Sequence, residues 1–145
     1  MTPSSTPYSA ILRSIFIATA ALAAGACGSD NLLNPTPGTP PTSVTEPFSG
    51  TVTVNGASTQ PFTVSTIGTV TAKITALAPD AAATVGLSLG TWNGAACALI
   101  ITNDAAALNT TVTGTAQTVG QFCARVYDVG KLTASTDFTI EVTHF

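Results

Sequence analysis

From Phe48 to the C-terminus, apolar side chains alternate with threonine or another polar residue, and a period of two fits pleated strands far better than helices. The pattern is clearest in Asp137 to Thr143, where Phe138, Ile140 and Val142 fall on one face and Thr139, Glu141 and Thr143 on the other. Val70, Ala72 and Ile74 repeat it between threonines and Lys73, and Val85, Leu87 and Leu89 form another inward row after a Pro79-Asp80 turn. Phe48, Val52 and Val54 alternate before Asn55-Gly56, with Phe62 and Val64 on the return, so a hairpin with a longer loop is expected there. Asn93-Gly94 marks another turn. Cys97 to Thr102 (CALIIT) is apolar enough for a central strand buried on both faces, and Thr110 to Ala116 and Phe122 to Tyr127 complete the set. Ala105 to Leu108 has room for a single helical turn. About eight short strands with frequent turns predict an all-β fold, an antiparallel β-sandwich of jelly-roll or immunoglobulin-like strand order.

Composition says how such a sandwich stays wet. Only 8% of the residues are charged against 45% hydrophobic, so hydroxyls and amides must carry the solvent face, and threonine is the residue supplied for it. The net charge of -3 leaves no basic footprint for nucleic acid or for anionic lipid. A chain of 145 residues has room for one core once its ends are discounted.

The first 26 residues read as a leader. Arg13 precedes Ser14 to Ala24 (SIFIATAALAA), an unbroken run of small and apolar residues that is about half the length needed to span a bilayer as a helix. Ala24, Gly25, Ala26 and Cys27 then resemble a lipobox, the lipoprotein signal peptidase motif, with Ala24 where that motif prefers leucine. The same residues satisfy an ordinary small-x-small cleavage site, and both routes cut before Cys27. Cysteine parity favours lipidation: three cysteines in an oxidising compartment leave one thiol odd unless Cys27 carries a lipid. Gly28 follows, not an aspartate, so an outer-membrane address is expected for this cell-envelope lipoprotein.

Residues 27–46 then form a tether, with Pro35, Pro37, Pro40 and Pro41 among Thr, Ser, Gly and Asn, which is a composition for a semi-stiff spacer and not for a core. The domain is expected over 47–145. Within it, Cys97 and Cys123 are expected to form a disulfide, whose closed loop of about 25 residues stabilises the fold by roughly 3 kcal/mol in the chain-entropy model.

The segments GTVTAKITAL at Gly68 to Leu77, GLSLGTWNGAAC at Gly86 to Cys97 and GQFCARVYDVGKLTASTDFTIEVTH at Gly120 to His144 resemble the bacterial pre-peptidase C-terminal domains and kindred extracytoplasmic sandwiches. That resemblance implies a non-catalytic appendage with a role in secretion, adhesion or carbohydrate contact. The acidic Asp-x-Asp-Leu strand of that family is replaced here by Gly86-Leu87-Ser88-Leu89.

Chemistry-bearing residues are few. Gly86, Ser88 and Gly90 match the GxSxG elbow of serine hydrolases, and Asp104, Asp128 or Asp137 followed by His144 would complete the order Ser, Asp, His. An elbow needs a strand turning sharply into a helix, whereas Ser88 sits within an alternating strand, so no catalytic site is expected. His144 is the only histidine and is expected near a fraying terminus; no metal or other cofactor is expected. Asp80, Asp104, Asp128 and Asp137 fall at turns, where aspartate bonds its own backbone. Trp92 and Tyr127 are the candidate ligand contacts, aromatic faces suited to stacking on a sugar, and Arg125 is expected to lay its stem on Tyr127. The resulting expectation is a structural or protein-interaction module held to the membrane through Cys27. An envelope protein is its expected partner, and carbohydrate binding is the alternative.

Overall fold

A computed structural model describes residues 39–145. The leader, Cys27 and residues 28–38 of the tether lie outside the described residues. Eight strands follow one another: β1 (Val44–Val52), β2 (Ala57–Val64), β3 (Gly68–Ala78), β4 (Val85–Trp92), β5 (Cys97–Ala106), β6 (Thr111–Ala116), β7 (Gly120–Tyr127) and β8 (Thr136–His144). They form two antiparallel four-stranded sheets, ordered β1-β8-β3-β6 and β2-β7-β4-β5. Every connection except β4–β5 passes from one sheet to the other, which is the strand order of a jelly roll and decides between the two orders left open above.

The inward rows are those the alternation announces. Val70, Ala72, Ile74, Val85, Leu87, Leu89, Phe138, Ile140 and Val142 are all buried, joined by Val52, Phe62, Val64 and Val126. Burying each such aliphatic or aromatic side chain contributes about 1.5–3 kcal/mol, offset mainly by the entropy of ordering the chain. A bulge at Thr75 shifts the β3 register against β8, which brings Leu77 inward after Ile74. On the outer face of the first sheet, register aligns Thr45, Thr143, Thr71 and Thr113 across all four strands. Thr45 and Thr143 share a hydrogen bond of 2.8 Å, and Ser49 and Thr139 one of 2.9 Å. Threonine therefore does supply the wet face.

Several expectations are corrected. β1 and β2 do not form a hairpin: β1 pairs with β8 and β2 with β7, so the Asn55-Gly56 turn is a corner between sheets and Val54 is exposed. Cys97 to Thr102 is not a central strand; it belongs to β5, an edge strand with Leu99 and Ile100 exposed. The strand buried on both faces is β4, where Val85 to Gly90 are all buried. Ala105 and Ala106 continue β5 and a turn follows, so there is no helical turn at Ala105 to Leu108. β1 begins at Val44, three residues ahead of the expected boundary, because Val44, Thr45 and Glu46 pair with His144, Thr143 and Val142. His144 is not frayed: it extends the inward row of β8, is 3% exposed, and its ring stacks on Phe62 at 5.2 Å.

Candidate functional site

The outer face of the second sheet is built over a row of small residues. Alternation places Gly86, Ser88 and Gly90 of β4 on the side opposite Leu87 and Leu89, and all three are buried, so something must cover them. The Tyr127 ring covers Gly86, to which it is paired across β7; a Cβ at position 86 would run into that ring. Ser88 lies beside Arg125, and its hydroxyl donates to the Arg125 carbonyl at 3.4 Å. The backbone of β5 covers Gly90, where a Cβ would collide with the Ala98 carbonyl. This close approach lets the start of β5 lean over β4 and brings Cys97 within 5.9 Å of Cys123, Cα to Cα, and the two are joined as a disulfide. The GxSxG pattern is thus accounted for by packing at each of its three positions.

Ser88 spends its hydrogen bond on a backbone carbonyl, and His144 belongs to the other sheet, its Nε2 3.6 Å from Glu46. Asp104 accepts a hydrogen bond from the Tyr127 hydroxyl. Asp128 is a loop clamp: one carboxylate oxygen accepts the N–H groups of Gly130, Lys131 and Leu132, and the other accepts that of Asn55. The Asn55 bond, followed by those within the loop, outweighs desolvation and holds the Asp128 carboxyl below its ordinary range. Asp80 accepts the N–H of Ala82, so turn chemistry accounts for this residue too. Among the described residues no group of three or more His, Cys, Asp or Glu side chains is placed to hold a metal ion.

Tyr127 and Trp92 lie on the same face but not together. Trp92 stands six residues farther along β4 than Gly86, the partner of Tyr127, which separates them by about 20 Å at the usual rise per residue. Tyr127 is the more elaborated of the two. Arg125 lies 5.8 Å from its ring centre, within cation–π reach, and burial together with the Asp104 carboxylate pushes the phenol up to about 12 against a smaller opposing pull from Arg125. Trp92 is half-buried at the mouth of the β4–β5 hairpin.

A second feature was not legible in the sequence. An apolar cleft opens between the free edges of β5 and β6, with Phe62, Val70, Leu89, Ile101 and Phe122 in its wall and Ile100 at its margin. Ile100 is 67% exposed, and from Cys97 to Asn103 the edge strand carries no charge. The signal for it was the apolar run CALIIT, whose placement at an edge depends on tertiary pairing.

No family model matches the chain, and no curated protein matches it in sequence. Among solved structures, the crystal structure of the Yersinia pseudotuberculosis-derived mitogen is similar, at 14% identity and a TM-score of 0.53 over 72% of this chain and 88% of that one. At that identity the likeness is one of fold alone.

Proposed function

We propose that this chain is an exported bacterial lipoprotein of the cell envelope, anchored through Cys27 in the outer membrane, and that its sandwich is a non-catalytic interaction module. The module resembles the appended pre-peptidase C-terminal domains in its strand motifs and binds a protein of the envelope through the β5 margin. The observation that carries this reading is the exposure of Leu99 and Ile100 on a charge-free edge beside an apolar cleft, since large exposed apolar side chains beside a groove are what a partner covers. Two register shifts on β5, at Leu89/Gly90 and at Val85/Leu87, interrupt its ladder, so side-chain docking into the cleft is favoured over strand addition along the whole edge.

The test is a photo-crosslinking residue placed at Ile100 in intact cells, with Thr113 on the first sheet as control. A discrete adduct from position 100, lost on Leu99→Lys, is the expected outcome; equal labelling from both positions rejects the β5 margin. Intact mass tests the anchor: the mature chain should begin at a diacylglyceryl-modified Cys27.

A second reading, carbohydrate contact, draws on Tyr127, whose ring is backed by Gly86 and flanked by Arg125 and Asp104. Glycan-array binding that disappears on Tyr127→Ala, or on Trp92→Ala at the hairpin, would favour it over the β5 margin.

A further inference from the structure

On the outer face of the second sheet, register sets Thr59, Arg125, Ser88 and Thr102 in one row across β2, β7, β4 and β5, and Ala57, Tyr127 and Gly86 in the next. Tyr127 lies flat in that second row. A Cβ at position 86 would meet its Cζ and both Cε atoms at nearly equal range, so the ring turns its face and not its edge to Gly86. Its hydroxyl reaches across β4 to Asp104 of β5, and with the phenol pushed up to about 12 by burial and by that carboxylate, it stays a donor. One face of the ring is therefore fixed against the sheet, and the half-buried residue keeps the other face outward. Arg125 flanks this platform, 5.8 Å from the ring centre. Among the described residues the one acid–base contact is that of His144 with Glu46, so no carboxylate neutralises the guanidinium. Its Nε is shielded from water without an acceptor, and no hydrogen bond among those residues occupies its two Nη groups. A guanidinium shielded on one side and unpaired on the other draws an anion that it grips with two parallel bonds.

We infer that this face is a subsite for an acidic sugar: a hexuronate ring stacks on Tyr127, its carboxylate meets the Nη groups of Arg125, and a hydroxyl donates to Asp104. The inference rests on the carbohydrate reading above and deepens it by naming the chemistry of the sugar. The three side chains together choose the ligand. A simple anion uses Arg125 alone and is repelled by the exposed Asp104 carboxylate, while a cation uses Asp104 and is repelled by Arg125. A purely apolar group on the ring leaves both charges to be desolvated without a partner. A hexuronate carries a flat apolar face for the aromatic ring, a carboxylate at one end and hydroxyl donors at the other, and so satisfies all three. Asp104 spends Oδ1 on the Tyr127 hydroxyl, which leaves Oδ2 for the sugar. Asp128, next in sequence to Tyr127, does not compete for the guanidinium, because both of its carboxylate oxygens accept N–H groups of its own loop and of Asn55. The net charge of -3 gives no long-range attraction for a polyanion, so the preference for acid comes from this local contact.

The full chain is titrated in a calorimeter with a galacturonate trimer and a mannuronate trimer, and with the methyl ester of each, which keeps the rings and hydroxyls and removes the charge. At least one acid form should bind about tenfold more tightly than its ester, as expected for one bidentate carboxylate contact. Arg125→Gln should erase that preference, Arg125→Lys should keep part of it, and Tyr127→Ala should weaken acid and ester alike. An unchanged melting temperature shows that the variants fold, and the comparison of acid with ester in the parent protein needs no variant at all. Equal binding of acid and ester overturns the acidic sugar and leaves carbohydrate contact standing. Binding of none of the four overturns it too, and an empty glycan array then removes the broader reading with it. A preference for acid that survives Arg125→Gln shows the carboxylate to be held elsewhere and overturns the subsite. Sodium acetate binding as tightly as the trimers shows that the site takes any anion, and overturns the role of the sugar ring.

Discussion

Asp128 ties two loops of the sandwich together, since its carboxylate reaches both the 53–56 turn and its own loop, and its N–H returns a bond of 2.9 Å to the Gly56 carbonyl. Because its folded pKa is lowered, its contribution is complete above the ordinary carboxylate value of 3.8 and is lost as pH falls through the lowered folded value. Tyr127 has the opposite sign. Its neutral phenol is the form favoured in the fold, so its contribution is complete below pH 10.0 and fades as pH rises toward about 12. Urea midpoints measured against pH should show both: Asp128→Ala lowers the midpoint at neutral pH and flattens the acid limb, and Tyr127→Phe flattens the alkaline one. Limbs that keep their slopes in these variants would refute the assignments. At Gly90, any side chain meets the Ala98 backbone, which cannot swing aside as a side chain would. Gly90→Val should therefore cost about 1–3 kcal/mol or more, read as a fall in melting temperature of roughly 4–8 °C per kcal/mol for a domain of this size.

Strands β4 and β5 show how an element's burial depends on what its neighbours bring. Hydropathy ranks CALIIT above GLSLGTW, yet β4 is central and β5 lies at the edge. Small residues on the outer face of β4 let Tyr127, Arg125 and the β5 backbone close over it, and that cover cannot be read from β4 by itself. The four free edges are blunted in different ways: Pro47 and inward-facing Glu46 on β1, Pro61 on β2, two register shifts along β5, and shortness in β6. The Cys97–Cys123 bond fastens the start of β5 to β7 across Gly90. With a sequence separation of 26 between the two cysteines, its removal by Cys97→Ala with Cys123→Ala should cost about 3 kcal/mol. Hydrogen exchange should locate the loosening in the first half of β5 and leave β3 and β8 protected; uniform loosening would show that the bond acts on the fold as a whole.

At the scale of the molecule, the amino-acid sequence by itself determined the class of fold, the inward rows and the cysteine pair. Alternation is a local property: whichever strand Phe138, Ile140 and Val142 pair with, they share one face, and water selects that face for burial. What only the tertiary structure decided was pairing. The Asn55-Gly56 turn reads equally well as a hairpin or as a corner between sheets, and the corner is chosen because β8 and β7 arrive from more than fifty residues downstream to take β1 and β2 as partners. Pairing then set which apolar run became an exposed margin and buried a histidine that adjoins the last residue of the sequence. Each of these follows from contacts between residues far apart in the chain, about which local periodicity carries no information.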